Sequence, residues 1–255
     1  MKLRGHSNPA CATLWGTALI KSLPFKQALI HFFFPACCLH CKEPMAPHTS
    51  SLCTPCVHLL DLIDPLSRCR RCFNPKETPS SPCHFCHSNP LPLNGLAAAF
   101  EYLGPAASLI KKMKYGNRPY LAKEAAAFMT VQWSRLDWPF PDLLLPIPLS
   151  WNHWLQRGYN QSHLLAKEIG ALMQIPLSTS TLKRRAGGYS QAGLSIEQRL
   201  KLHSSSFSVS KGGHLEGKSI LLIDDVTTSR MTLRRAAESI QLHSPKQLHA
   251  LLFCC

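Results

Sequence analysis

Carboxylates are scarce in this chain, with 14 Asp and Glu set against 28 Lys and Arg, and the formal charge is +14. A chain so poor in acid favours anionic partners: nucleic acid, acidic surfaces or phosphorylated ligands. Charge alone does not choose among them. Long apolar runs are also missing. No stretch reaches the roughly 18 residues that a membrane span requires, so a soluble protein with no membrane span is expected. The apolar segment at 14–20 is short, has weak basic flanks and lacks a small-residue cleavage site. A secretory signal is therefore not expected. Periodicity is missing between 37 and 92, where Cys, Pro, His and Ser crowd together. Such a segment cannot build a core without cross-links.

What the chain does have is size and cysteine. Its 255 residues, 45% of them hydrophobic, allow a small module beside a domain with a sizeable core. Four CxxC pairs stand in the poorly periodic segment: Cys38 and Cys41, Cys53 and Cys56, Cys69 and Cys72, Cys83 and Cys86. Without a secretory signal such pairs read as metal sites in the cytoplasm, where disulfides are reduced. Two residues between cysteines let one tight turn aim both sulfurs at one ion, and two such knuckles complete the tetrahedral shell of zinc. Consecutive and interleaved pairings both satisfy this count. Eight thiolates leave no open position, so about two structural Zn²⁺ ions are expected, lowering the net charge by about four. Cys37, His40, His48, His58, His84 and His87 read as solvent-facing or supporting neighbours. Cys11, Cys254 and Cys255 have no partner spacing. No repeat beyond the CxxC units is visible.

The pattern divides the chain into an N-terminal segment at 1–30, a cysteine-rich module at 31–95 and an α/β domain at 96–255. A short helix is predicted in 25–34, ended by Pro35. Past 95, short apolar runs alternate with helical stretches, the signature of a mainly parallel sheet with helices on both faces. Strands are predicted at 96–102, 142–146, 219–223 and 247–253. Helices are predicted at 105–115, 120–136, 161–173 and 232–242. The span 175–206 reads as polar and irregular, apart from a short helix around 195–202.

The segment 219–233 reads SILLIDDVTTSRMTL: an apolar strand, two carboxylates, a hydroxyl-rich turn, then a helix. Open α/β sheets bind ligands at that edge, where a helix N-terminus faces an anion. Asp224 and Asp225 suit two adjacent ribose hydroxyls, while Thr227, Thr228, Ser229 and Thr232, with backbone N–H groups, suit a phosphate. A solvated strand end followed by an ordinary capped helix is the plainer reading of the same residues.

This segment resembles the phosphoribosyl pyrophosphate (PRPP) motif of type I phosphoribosyltransferases, and the chain as a whole resembles the ComF family of competence proteins. The likeness also rests on the CxxC pairs, Tyr102 to Pro105 (YLGP), Lys114 to Gly116 (KYG), Pro146 to Leu149 (PIPL), Arg157 to Gln161 (RGYNQ) and Gln191 to Ser195 (QAGLS) with Arg199. It covers roughly 31–253. The resemblance implies a type I phosphoribosyltransferase-like domain preceded by a zinc-ribbon module, binding PRPP with Mg²⁺. It implies a role in DNA uptake and natural transformation, with single-stranded DNA and a DNA-uptake helicase as partners. The alternative is an active phosphoribosyltransferase of nucleotide or nucleoside metabolism, a pentosyltransferase whose acceptor is not legible.

Arg157 and Gly158 form a charged fork on a flexible backbone suited to pyrophosphate. Lys114 is singled out from Lys111 and Lys112 by the Tyr-Gly that follows it. Asn160 and Gln161 either cap the next helix or touch ligand. The QAGLS segment resembles the loop that covers the site in this fold. Arg230 stands where the family usually has Gly; a left-handed backbone there costs about 1 to 2 kcal/mol for any other residue, and the arginine side chain could add a phosphate contact.

Overall fold

The computed structural model describes residues 36–45, 50–78, 80–185, 206–227 and 230–255. The helices expected in 25–34 and around 195–202, and the 1–30 segment, lie outside them. The chain divides into two compact units after Leu60. The compositional break near 95 thus falls inside the second unit. Hydrogen bonds explain why: Ile63 N–H reaches Ala99 O at 2.9 Å, Gln132 Nε2 reaches Ile63 O at 2.9 Å, and Asn94 Oδ1 accepts from Leu248 N–H at 2.8 Å. Residues before the first strand are tied into the sheet unit.

In the first unit, a tight turn closes between Cys37 and Pro44, with Cys38 N–H on Glu43 O at 2.9 Å and Lys42 N–H on Cys38 O at 3.1 Å. A one-turn helix, α1 (Thr54–His58), carries the second knuckle. The second unit opens with the same construction. Arg68 bridges Pro75, Cys69 N–H meets Asn74 O at 2.9 Å, Phe73 N–H meets Cys69 O at 2.8 Å, and α2 (His84–Ser88) follows. Lys42 and Phe73 even share a left-handed φ, 68° and 59°. The two cysteine modules are therefore a tandem repeat of backbone, marked in the sequence by little more than the cysteines and the matching Pro44 and Pro75.

The sheet is built from β1 (Gly95–Phe100), β2 (Leu143–Pro146), β5 (Ser219–Val226) and β6 (Gln247–Cys254) in the order β1-β6-β5-β2, all parallel. Its strands are nearly all apolar and buried, as expected of a parallel sheet covered on both faces. Between β1 and β2 run α3 (Gly104–Tyr115) and α4 (Leu121–Ser134); after β2 come α5 (Trp151–Arg157) and α6 (Gln161–Met173). An antiparallel pair, β3 (Leu182–Arg184) with β4 (Phe207–Val209), precedes β5, and α7 (Met231–Gln241) links β5 to β6. α4 packs on α6 and on the sheet, and α7 packs on β4 and β6. Right-handed crossovers that run in opposite directions along the strand order put α4 and α7 on opposite faces.

Local sequence explains these elements. Pro105 starts α3 where a missing N–H is harmless. α7 buries Leu233, Ala236, Ala237 and Ile240, spaced as one helical face. Gly95 is needed because a Cβ there would stand 2.9 Å from the Trp138 ring, which itself lies on His249 at 4.5 Å between ring centres. Two elements depart from expectation. The span 175–206, read as irregular, contains β3, which pairs with β4 just beyond it, both too short to show alternation, and α5 forms where no helix was predicted.

Candidate functional site

The carboxyl ends of β2, β5 and β6 converge at one edge of the sheet. β5 delivers Asp224 and Asp225 there, with neighbours that fix them separately. Asp225 is buried and receives Lys114 Nζ from the last turn of α3 at 3.1 Å. This pairs two residues singled out from sequence that stand 111 positions apart. Asp224 Oδ1 accepts from Ser162 Oγ at 2.6 Å and from the Asp225 N–H at 2.9 Å. Burial, and then the adjacent Asp225 charge, push the Asp224 carboxyl up to about 7. Ser162, in the first turn of α6, was not singled out from sequence; a hydroxyl directly after RGYNQ was the available signal.

The RGYNQ segment folds against the KYG segment. Gly158 ends α5 with φ +74°, where nothing lies within 4 Å of a Cβ but a side chain would strain the backbone. Tyr159 Oη donates to Met113 O at 2.5 Å, and the Gln161 amide donates to the same carbonyl at 3.4 Å. Asn160 caps α6 by accepting from Ser162 N–H at 3.1 Å and donates to Ile147 O at 2.9 Å. Asn160 and Gln161 thus hold the loop. Arg157 Nη1 donates to Gln161 Oε1 at 3.2 Å, and its guanidinium lies 5.3 Å above the centre of the Tyr115 ring. Its Nε is buried with no hydrogen-bond acceptor among the described residues. A buried N–H in this state invites an anion or water.

Thr227 follows β5 and Thr232 lies in the first turn of α7, both partly exposed, while Thr228 and Ser229 lie outside the described residues. Arg230 adopts φ 58° and caps α7 from the left-handed region, the conformation that makes Gly usual at this place. Its side chain leads to the second cysteine module: Nη2 donates to Asn74 Oδ1 at 2.6 Å, and the guanidinium stacks 4.8 Å from the Phe85 ring centre. Arg234 adds bonds to Asn89 O and Oδ1 at 3.0 and 2.6 Å, and Gln241 one to Pro92 O at 3.2 Å. The turn before α7 and the second module are clamped together. Cys254, without a role from sequence, is core at the end of β6, and burial raises its thiol pKa well above the ordinary range.

The cysteines form two tetrads by consecutive pairing, Cys38, Cys41, Cys53 and Cys56, then Cys69, Cys72, Cys83 and Cys86. The Sγ–Sγ distances are 3.5 Å for Cys41–Cys53, 3.7 Å for Cys69–Cys86 and 3.4 Å for Cys72–Cys83. Four sulfurs about 2.3 Å from a tetrahedral zinc stand about 3.8 Å apart, so both tetrads fit that ion. Burial pushes Cys56 up to about 12 and Cys72 up to about 11. Metal binding there displaces protons.

No protein-family model matches the chain. The DNA utilization protein YhgH of Salmonella typhi is 26% identical over 225 residues, covering 86% of this chain and 97% of that protein. Competence protein F of Haemophilus influenzae is 25% identical over 215 residues, 82% of this chain and 92% of that one. Over most of its length the chain is thus similar to proteins named for DNA utilization and for competence. Competence protein ComFC of Bacillus subtilis shares 35% identity over 104 residues, 40% of each chain. Among solved structures, a glutamine PRPP amidotransferase from B. subtilis overlaps 56% of this chain and 30% of its own, at 18% identity and a TM-score of 0.40. A Trypanosoma cruzi hypoxanthine phosphoribosyl transferase overlaps 55% and 65%, at 13% identity and a TM-score of 0.35. No helix among the described residues is long and apolar enough to cross a membrane.

Proposed function

We propose that this chain binds PRPP, or a related phosphorylated ribose, with Mg²⁺ at the carboxyl edge of its sheet, and handles incoming single-stranded DNA in the cytoplasm. The observation that carries this reading is the Lys114–Asp225 pair, which draws the KYG segment onto the acidic motif beside the N-terminus of α7. Asp224 and Asp225 would take the ribose hydroxyls, and Thr227, Thr228, Ser229, Thr232 and the turn N–H groups the 5-phosphate. Arg157 Nε, buried without an acceptor, would take an oxygen of the pyrophosphate together with the Gly158 backbone. Mg²⁺ would supply charge neutralisation on that pyrophosphate. The Arg230 side chain, held by Asn74, acts by shaping the turn. Each cysteine tetrad holds one structural Zn²⁺. The DNA role rests on the similarity to those proteins and on the excess of basic residues at 111–123 and 183–185.

Calorimetric titration with PRPP plus Mg²⁺, then separately with single-stranded DNA, tests both halves. Saturable one-to-one PRPP binding and salt-sensitive DNA binding are expected. PRPP binding without DNA binding would leave the phosphoribosyltransferase reading, and neither would reject the site.

A further inference from the structure

Ahead of its last residue, Arg157, helix α5 presents exposed aromatic rings that the ribose site does not use. None of its residues is buried. Trp151 is 65% exposed and Trp154 44%, and their rings stack on each other with centres 5.2 Å apart and planes 15° from parallel. Spacing of three places them on one side of the helix. One turn on, Arg157 covers one face of Tyr115, itself 76% exposed. In the adjoining turn Arg118 donates to the hydroxyl of Tyr120, 60% exposed, at 3.1 Å. Single exposed aromatics need no explanation, but a cluster of flat rings interleaved with guanidinium groups marks a binding surface.

Charge narrows the occupant. Between Glu101 and Glu124 the chain has Lys111, Lys112, Lys114, Arg118 and Lys123 and no carboxylate; between Asp142 and Glu168 it again has none. Cations for phosphates and open π faces for bases are the pair of features that non-sequence-specific single-strand binders combine. A duplex hides its base faces in the stack and cannot use the rings. We propose that α5 and the 115–120 turn form a base-stacking platform for single-stranded nucleic acid, with the Trp151–Trp154 pair as its anchor. This rests on the reading of single-stranded DNA as a partner. Arg157 joins the platform to the RGYNQ segment through Gln161.

The test compares the full-length chain with its Trp151→Ala/Trp154→Ala form, using a labelled oligothymidylate, the matching duplex and PRPP. Each lost stacking contact is worth roughly 1 to 3 kcal/mol, so single-strand affinity is expected to fall at least about tenfold. The salt slope should stay unchanged, because no phosphate contact is removed. Wild-type tryptophan fluorescence should be quenched by the strand, and the Trp→Phe pair should keep most of the affinity. PRPP binding should be unaffected, which also reports that the variant is folded. Equal single-strand affinity in wild type and double Ala variant would overturn the platform while leaving DNA binding intact. An equal loss for duplex would overturn it too, since the rings would not be reading bare bases. A change in oligomeric state at unchanged DNA affinity would assign the face to a second copy of the chain. Absence of any DNA binding by the wild type would remove the parent reading and the platform together.

Discussion

The two cysteine modules have one backbone and two kinds of surroundings. Both close a knuckle over four residues, place a left-handed residue after its second cysteine and carry the next pair on a five-residue helix. The first belongs to the unit that ends at Leu60; the second belongs to the unit that holds the sheet. Three side chains of the second module hold α7 and its start, Asn74 and Phe85 taking Arg230 and Asn89 taking Arg234, and Arg68 pairs with Glu101 after β1. The positions matching those three in the first module are Glu43, Pro55 and Leu59. A repeated cysteine-tetrad fold has thus been made into a brace for the start of α7 in one copy by changing residues outside the tetrad.

The largest expected effect separates the copies outright. Cys69→Ser with Cys72→Ser should lose one zinc and lower the main unfolding midpoint by about 10 °C, because the brace of the sheet unit goes with it. Cys38→Ser with Cys41→Ser should lose one zinc and move that midpoint by no more than about 2 °C. Metal analysis with scanning calorimetry decides, and equal shifts would erase the distinction. Next, Asp225→Ala leaves the half-buried Lys114 without its carboxylate, a loss of about 3 kcal/mol. If the second module is integral to the sheet unit, a chelator should strip the second zinc faster in this variant and the first at its old rate.

Arg230 gives a finer cut. Arg230→Ala removes the bond to Asn74 and the stack on Phe85 and should cost about 2 kcal/mol in denaturant unfolding. Arg230→Gly removes the same contacts but relieves the left-handed backbone, so it should be milder by about 1 kcal/mol. Identical losses would mean that the clamp alone matters. A separate effect is in pH. The folded Asp224 holds its proton up to about 7, above its unfolded value of 3.8, so the folded state binds more protons between these values. The stability of the sheet unit should fall as pH rises from about 4 to 7, and Asp224→Asn should flatten that slope.

Strand and helix order was legible because parallel strands are continuous apolar runs and α7 keeps a strict amphipathic spacing. The cysteine tetrads were legible as eight ligands, but their pairing was fixed only by the fold. Asp224, Asp225, Lys114 and Arg157 were named from motifs, yet their connections run through Ser162, Met113 O and Gln161, whose roles exist only in three dimensions. The second module's attachment was hidden because Asn74, Phe85 and Asn89 are ordinary residues in a loop-rich segment. α5 was missed although Trp151, Trp154 and Leu155 stand at helical spacing, because a seven-residue helix is too short to show a period.

On the proposed reading, the acidic motif and the KYG and RGYNQ segments form one phosphorylated-ribose site braced by the second module. Hydrogen exchange of the full chain, with and without PRPP and Mg²⁺, tests this most directly. Slowed exchange is expected around Met113 to Gly116, around Gly158 to Ser162, in the first turn of α7 and around Asn74, with no change at 36–45 and 50–60. Protection confined to the first module, or none around Asp224 and α7 at saturating ligand, would contradict it.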